Sequence, residues 1–145
     1  MLEYGIAEKK NMVQILELYK QLKPNEKPIS LSKANEIWRE IKKNNIRYFV
    51  AKDKGVIVAT CYICIIPNLT KKGKSIGFIE NVVTDKEYKR KGIGKKIIEN
   101  AIKHAKKNNC YKVFLQTGIK RREAHKFYKS LGFELDTKKT FEIIF

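Results

Sequence analysis

Between residues 46 and 83 the chain carries three extended runs separated by short polar turns, and no other feature constrains its fold as much. The runs cover residues 47–51, 56–66 and 75–83 and are rich in β-branched and apolar side chains. Asp53-Lys54-Gly55 joins the first two with the residue types of a hairpin turn, and a loop holding Pro67, Asn68, Lys71, Lys72 and Gly73 precedes the third. An antiparallel meander at the centre of a sheet is the expectation. Its flanks are helical in period. Residues 2–7 read as a first strand, and Asn11 is placed to cap a helix with Val13, Ile15, Leu16, Leu18, Tyr19 and Leu22 on its apolar side. Pro24 ends that helix, and Ser30 or Ser32 caps a second one running through Ala34, Ile37, Trp38 and Ile41. Beyond the meander come a helix over 92–108, a strand over 111–116, a helix over 121–131, a strand from Phe133 onward and a last edge strand over 141–145. The order is βαα-βββ-αβ-αβ. It describes an α+β domain, an α/β sandwich with a mixed, mostly antiparallel sheet of six or seven strands and four helices, with a parallel crossover near its end.

At 145 residues the chain has the length of one domain, taken here as residues 1–145, and 43% hydrophobic side chains exclude disorder. The opening residues show no basic stretch followed by an apolar one, and the longest near-apolar run, residues 56–67, falls short of the roughly 20 residues that cross a bilayer. A cytoplasmic protein without a membrane segment is expected. Cys61 and Cys64 have C-x-x-C spacing, but inside a strand run and with no second pair or histidine cluster. They and Cys110 read as reduced cysteines, and no metal site is expected.

Charge narrows the partners. The formal net charge is +17, and residues 69–145 carry 20 basic against 8 acidic side chains. Of the 32 basic residues 27 are lysine, scattered over several helices and loops. A phosphate-reading surface favours the planar arginine fork, so the scatter argues against nucleic acid. Placement is more telling at Lys89-Arg90-Lys91-Gly92-Ile93-Gly94-Lys95-Lys96, between the third extended run and the next helix. Two glycines remove Cβ atoms where amides at a helix start face outward, and the helix dipole favours an anion there. Lys95 and Lys96 in the first turn oppose that dipole unless an anionic ligand sits between them. The spacing is neither that of a Walker loop nor that of a dinucleotide fingerprint.

The segment from Ile79-Glu80-Asn81-Val82-Val83-Thr84 to Lys89-Arg90-Lys91-Gly92-Ile93-Gly94 resembles the acetyl-CoA-binding motif of the GNAT superfamily of N-acetyltransferases, whose loop reads Q/R-x-x-G-x-G/A. Lys89 stands where Gln or Arg is usual. Residues 117–133, with Ala124, Phe127, Tyr128, Gly132 and Phe133, are similar to a second motif of that family, N-x-x-A-x-x-F-Y-x-x-x-G-F, with Arg121 in the place of Asn. Read alone, Ala124, Phe127, Tyr128 and Leu131 make one apolar helix face.

The resemblance implies an acetyl-CoA-dependent transfer to an amine. An alkyl amine has a pKa of roughly 10.4, so a base must free it at neutral pH. Glu80, a charge within an apolar run, is the candidate base, and Tyr128 the acid that protonates the leaving thiolate. Val82, Val83 and Thr84 are implied to meet the acetyl and pantetheine part, with a backbone N–H at a strand bulge facing the oxyanion. Lys89, Arg90, Lys91, Gly92, Ile93, Gly94 and Lys95 are implied to hold the pyrophosphate, and Arg121 and Phe127 to complete the coenzyme site. His125 and His104 are expected to have no catalytic part. Lys23, Lys27, Lys138 and Lys139, in the segments where this fold receives its acceptor, suit an amine that also bears phosphate, phosphonate or carboxylate. A protein or peptide amine is the alternative acceptor, and a basic nucleic-acid-binding or coenzyme-sensing module is the non-enzymatic alternative. A homodimer paired through the final strands is an expectation of the same resemblance.

Overall fold

The three extended runs form the middle of one sheet. In the computed structural model, which describes all 145 residues, strands β1 (Leu2–Ile6), β2 (Ile46–Asp53), β3 (Val56–Ile66), β4 (Ser75–Thr84) and β5 (Cys110–Leu115) lie in the order β1-β2-β3-β4-β5. β1 to β4 pair antiparallel, and β5 joins β4 in parallel. Asp53 pairs with Val56, so Lys54-Gly55 is a two-residue hairpin loop, as the sequence suggests.

The helices are α1 (Met12–Leu22), α2 (Leu31–Lys43), α3 (Ile93–Lys107) and α4 (Arg122–Ser130). Ser30, not Ser32, caps α2, its hydroxyl accepting from the Lys33 amide at 3.1 Å. Asn11 precedes α1 but does not cap it. Its side-chain oxygen accepts instead from the Glu8 amide at 2.9 Å, closing the short turn before the helix.

Strand alternation distributes the core to both faces of the sheet. Val50, Ile57 and Val83 pack with Met12, Ile15 and Leu18 of α1 and Ala34 and Trp38 of α2. Phe49, one residue from Val50 and so on the opposite face, meets His104 of α3 edge-on at 5.8 Å. On that second face Gly77 lets Ile63, Val113 and Ala105 close in, since a Cβ there would lie 3.0 Å from Ile63 Cδ1 and 3.1 Å from Val113 Cγ2.

The residues divide into two units, Met1–Leu115 with the whole sheet and Gln116–Phe145 with α4. In the second unit the sequence expectation fails in part. No strand forms from Phe133 onward or over residues 141–145, so the sheet has five strands rather than six or seven. Phe141, Ile143, Ile144 and Phe145 are 82–113% exposed. Apolar, β-branched composition gives a segment the tendency to extend, but a strand is stable only when a neighbour takes its N–H and C=O groups.

Candidate active site

β4 is interrupted where its chemistry begins. Thr60 of β3 pairs with Val83 and Tyr62 with Glu80, so Cys61 alone stands opposite Asn81 and Val82. The extra residue is a β-bulge, and Asn81 takes φ +50° to make it. Bulges leave backbone polar groups out of the ladder, which is what an oxyanion contact in this strand requires. Of the expected pantetheine contacts, Val83 is buried, whereas Val82 and Thr84 are partly accessible.

Glu80 is paired across the ladder with Tyr62, which in turn pairs with Tyr48. The two tyrosine rings lie 5.1 Å apart, and Trp38 of α2 meets Tyr48 at 5.7 Å. An aromatic row thus runs from beneath α2 to the carboxylate. Partial burial raises the pKa of Glu80, and the nearby Lys23 ammonium opposes that rise. Burial, helped by the Glu80 charge, pushes the Tyr62 phenol up to about 12. Tyr19 of α1 faces Tyr48 and Asn81, and burial holds its hydroxyl protonated. Sequence reasoning found Glu80 but not its aromatic surround. Tyr62 and Glu80 are 18 positions apart, and only the register across a bulge sets them side by side.

After β4, Asp85 caps a short turn at Lys86–Tyr88, its carboxylate accepting from the Glu87 amide at 2.9 Å. The glycine loop follows. Arg90 has φ +61° and Gly92, the residue before α3, has φ +75°, a region that costs a side-chain-bearing residue about 1–2 kcal/mol. No side chain caps α3. The amides of its first turn are therefore presented outward, with Lys89 and Arg90 exposed beside them. This geometry fits a pyrophosphate. Two expected contacts are reassigned in kind. The Ile93 side chain is buried in the core, leaving only its backbone for a ligand, and Lys91 folds back to donate to the Glu87 carbonyl at 2.9 Å over the Tyr88 ring. Lys95 approaches Glu99 at 4.0 Å.

In the second unit Arg121 sits just before α4 without capping it. Tyr128 packs edge-on against Phe127 at 5.1 Å and Phe133 at 5.9 Å. His125 Nε2 donates to the Gly118 carbonyl at 3.0 Å, a structural contact that ties the helix to the loop before it.

These two motifs decide the family. Residues 12–133 match the family model described as "Acetyltransferase (GNAT) family". The chain belongs to the GNAT acetyltransferases. It is similar to the glucosamine 6-phosphate N-acetyltransferase of Trypanosoma brucei brucei, 34% identical over 87 residues that make up 60% of this chain and 57% of that one. It also resembles N-alpha-acetyltransferase 30 of Xenopus laevis, 35% identical over 71 residues, 49% of this chain and 26% of that protein. The chain thus spans between about a quarter and little more than half of these curated relatives. A putative acetyltransferase from Agrobacterium tumefaciens superposes with a TM-score of 0.92 at 34% identity, covering 98% of this GNAT chain and 99% of the other.

Proposed function

We propose that this GNAT protein transfers the acetyl group of acetyl-CoA to the primary amine of a small anionic metabolite, an amino-sugar phosphate before an aminoalkylphosphonate or an amino acid. Glu80 carries the reading, as a carboxylate whose pKa is raised by burial on a bulged strand that leads directly into a glycine loop at a helix start. In this mechanism the ammonium of the acceptor gives a proton to Glu80, directly or through water. The neutral amine then attacks the thioester carbon, the bulge and its backbone amides face the oxyanion, and collapse breaks the carbon–sulfur bond as the thiolate takes a proton from Tyr128. The proton that the nitrogen sheds on becoming an amide returns to Tyr128 through water, and Glu80 releases its own to solvent. The amides of the first turn of α3, with Lys89 and Arg90, neutralise the pyrophosphate. The role of Tyr128 rests on its motif. Lys23 beside Glu80 suits an acceptor that carries its own negative charge. The likeness to a glucosamine 6-phosphate N-acetyltransferase supports the amino-sugar phosphate class. We read residues 1–145 as one such domain, working in the cytoplasm without a metal.

The likeness to N-alpha-acetyltransferase 30 favours a second reading, a peptide N-terminus as acceptor. Thiol release from acetyl-CoA separates the two. Glucosamine 6-phosphate is expected to give kcat/KM at least tenfold above unphosphorylated glucosamine and above a peptide with a free N-terminus. A higher value for the peptide reverses the assignment, and no thiol release with any amine removes the enzymatic reading.

A further inference from the structure

One side chain ties the acceptor side of the sheet to the coenzyme loop. Gln21, in the last turn of α1, donates from Nε2 to Asp85 Oδ2 at 2.8 Å and accepts from the Lys86 amide at 3.0 Å through Oε1. A primary carboxamide is suited to this pair of contacts, since it offers a donor to the carboxylate and an acceptor to the amide at one terminus. The turn it grips is itself fixed. The Asp85 amide donates to the Val58 carbonyl at 2.8 Å, and the Tyr88 hydroxyl donates to Asp53 at 2.8 Å. Lys89 and the glycine loop follow without a break.

The same turn of α1 faces the reacting end of β4. Tyr19, two residues before Gln21, packs its hydroxyl against Tyr48 and Asn81, and the Lys23 ammonium, two residues after it, acts on Glu80. The last turn of α1 thus has contacts toward both the Glu80 surround and the turn that leads into the loop.

We propose that Gln21 is a positioning residue that couples the two substrate sites, so that coenzyme at the loop and amine beside Glu80 each bind more tightly when the other is present. The inference rests on the assignment of the loop and of Glu80 made above. Linkage requires the coupling factor to be the same from either side.

The test is the Kd of CoA by titration calorimetry, alone and with saturating glucosamine 6-phosphate, for wild type and for Gln21→Leu, which keeps the bulk and loses both hydrogen bonds. Wild type is expected to bind CoA at least threefold more tightly with the amine present. Gln21→Leu is expected to bind CoA about 5–10-fold more weakly, the scale of one ordinary solvent-exposed hydrogen bond, with a coupling factor near one. Gln21→Glu, which sets a second carboxylate against Asp85, is expected to show the same loss. If Gln21→Leu is poorly folded, Gln21→Glu carries the test. A second readout separates positioning from stability. The KM of glucosamine 6-phosphate at saturating acetyl-CoA should rise in Gln21→Leu with kcat within about twofold of wild type, a split that a mere loss of folded protein would not produce. Wild-type CoA affinity and coupling in both variants overturn the proposal. Wild type that binds CoA equally with and without the amine overturns the coupling alone, whereas wild type that binds no CoA overturns the assignment of the loop and the coupling with it.

Discussion

Glu80 illustrates how the fold sets the pKa of a single side chain. Burial on β4 raises it and Lys23 restrains the rise. As the proposed base, Glu80 must be ionised, so kcat/KM should fall as pH drops through the raised pKa of this carboxylate. Glu80→Gln should lower kcat/KM by about 10²–10³ and remove that acidic limb. An unchanged pH profile in this variant would take Glu80 out of the mechanism. Tyr128→Phe should lower kcat by about 10²–10⁴ while the Kd of acetyl-CoA stays within about twofold, measured by steady-state kinetics beside calorimetry. A normal kcat would leave Tyr128 as the core aromatic that its helix face alone suggests.

At the scale of elements, what the sequence made legible was what periodicity and turn chemistry encode locally. The meander, the two helices before it and the parallel crossover to β5 follow from 3.6- and 2-residue periods, and the glycine loop from two glycines at a helix start. The positions of Gln21 and Tyr62 were not legible, because each acts on residues 18 to 65 positions away that only the folded register brings near. The final strands were over-read for the opposite reason. The apolar, β-branched composition of residues 141–145 is a local signal, and strand formation is not a local event. Close packing of α3 on the sheet has its own signature in Gly77, where any larger side chain must displace Ile63 and Val113. Gly77→Val should destabilise the protein by about 1–3 kcal/mol, read from urea unfolding, and a neutral result would mean that α3 can lift from β4 at little cost.

Taken whole, the molecule is strongly basic, and the coenzyme proposed for it is anionic. With a net charge of +17, long-range attraction should set the encounter rate. The association rate constant of CoA, followed by stopped flow, should fall about tenfold between 20 and 200 mM salt, as the screening length shrinks to below about 10 Å. A rate independent of salt would make the lysine content compositional rather than functional. The parallel pairing of β4 with β5 has a further consequence, for the path by which the chain reaches this structure. β2, β3 and β4 are joined by short connections and can find one another early, but β5 must wait until the 25 residues between Thr84 and Cys110 have closed a loop around α3. During refolding, pulsed hydrogen exchange should protect the amides of β3 before those of β5, and simultaneous protection would contradict that order. The glycine loop lies inside that segment, so its ends are fixed only after β5 has paired with β4. A nascent chain would therefore place its candidate base in the sheet before the glycine loop beside it is fixed.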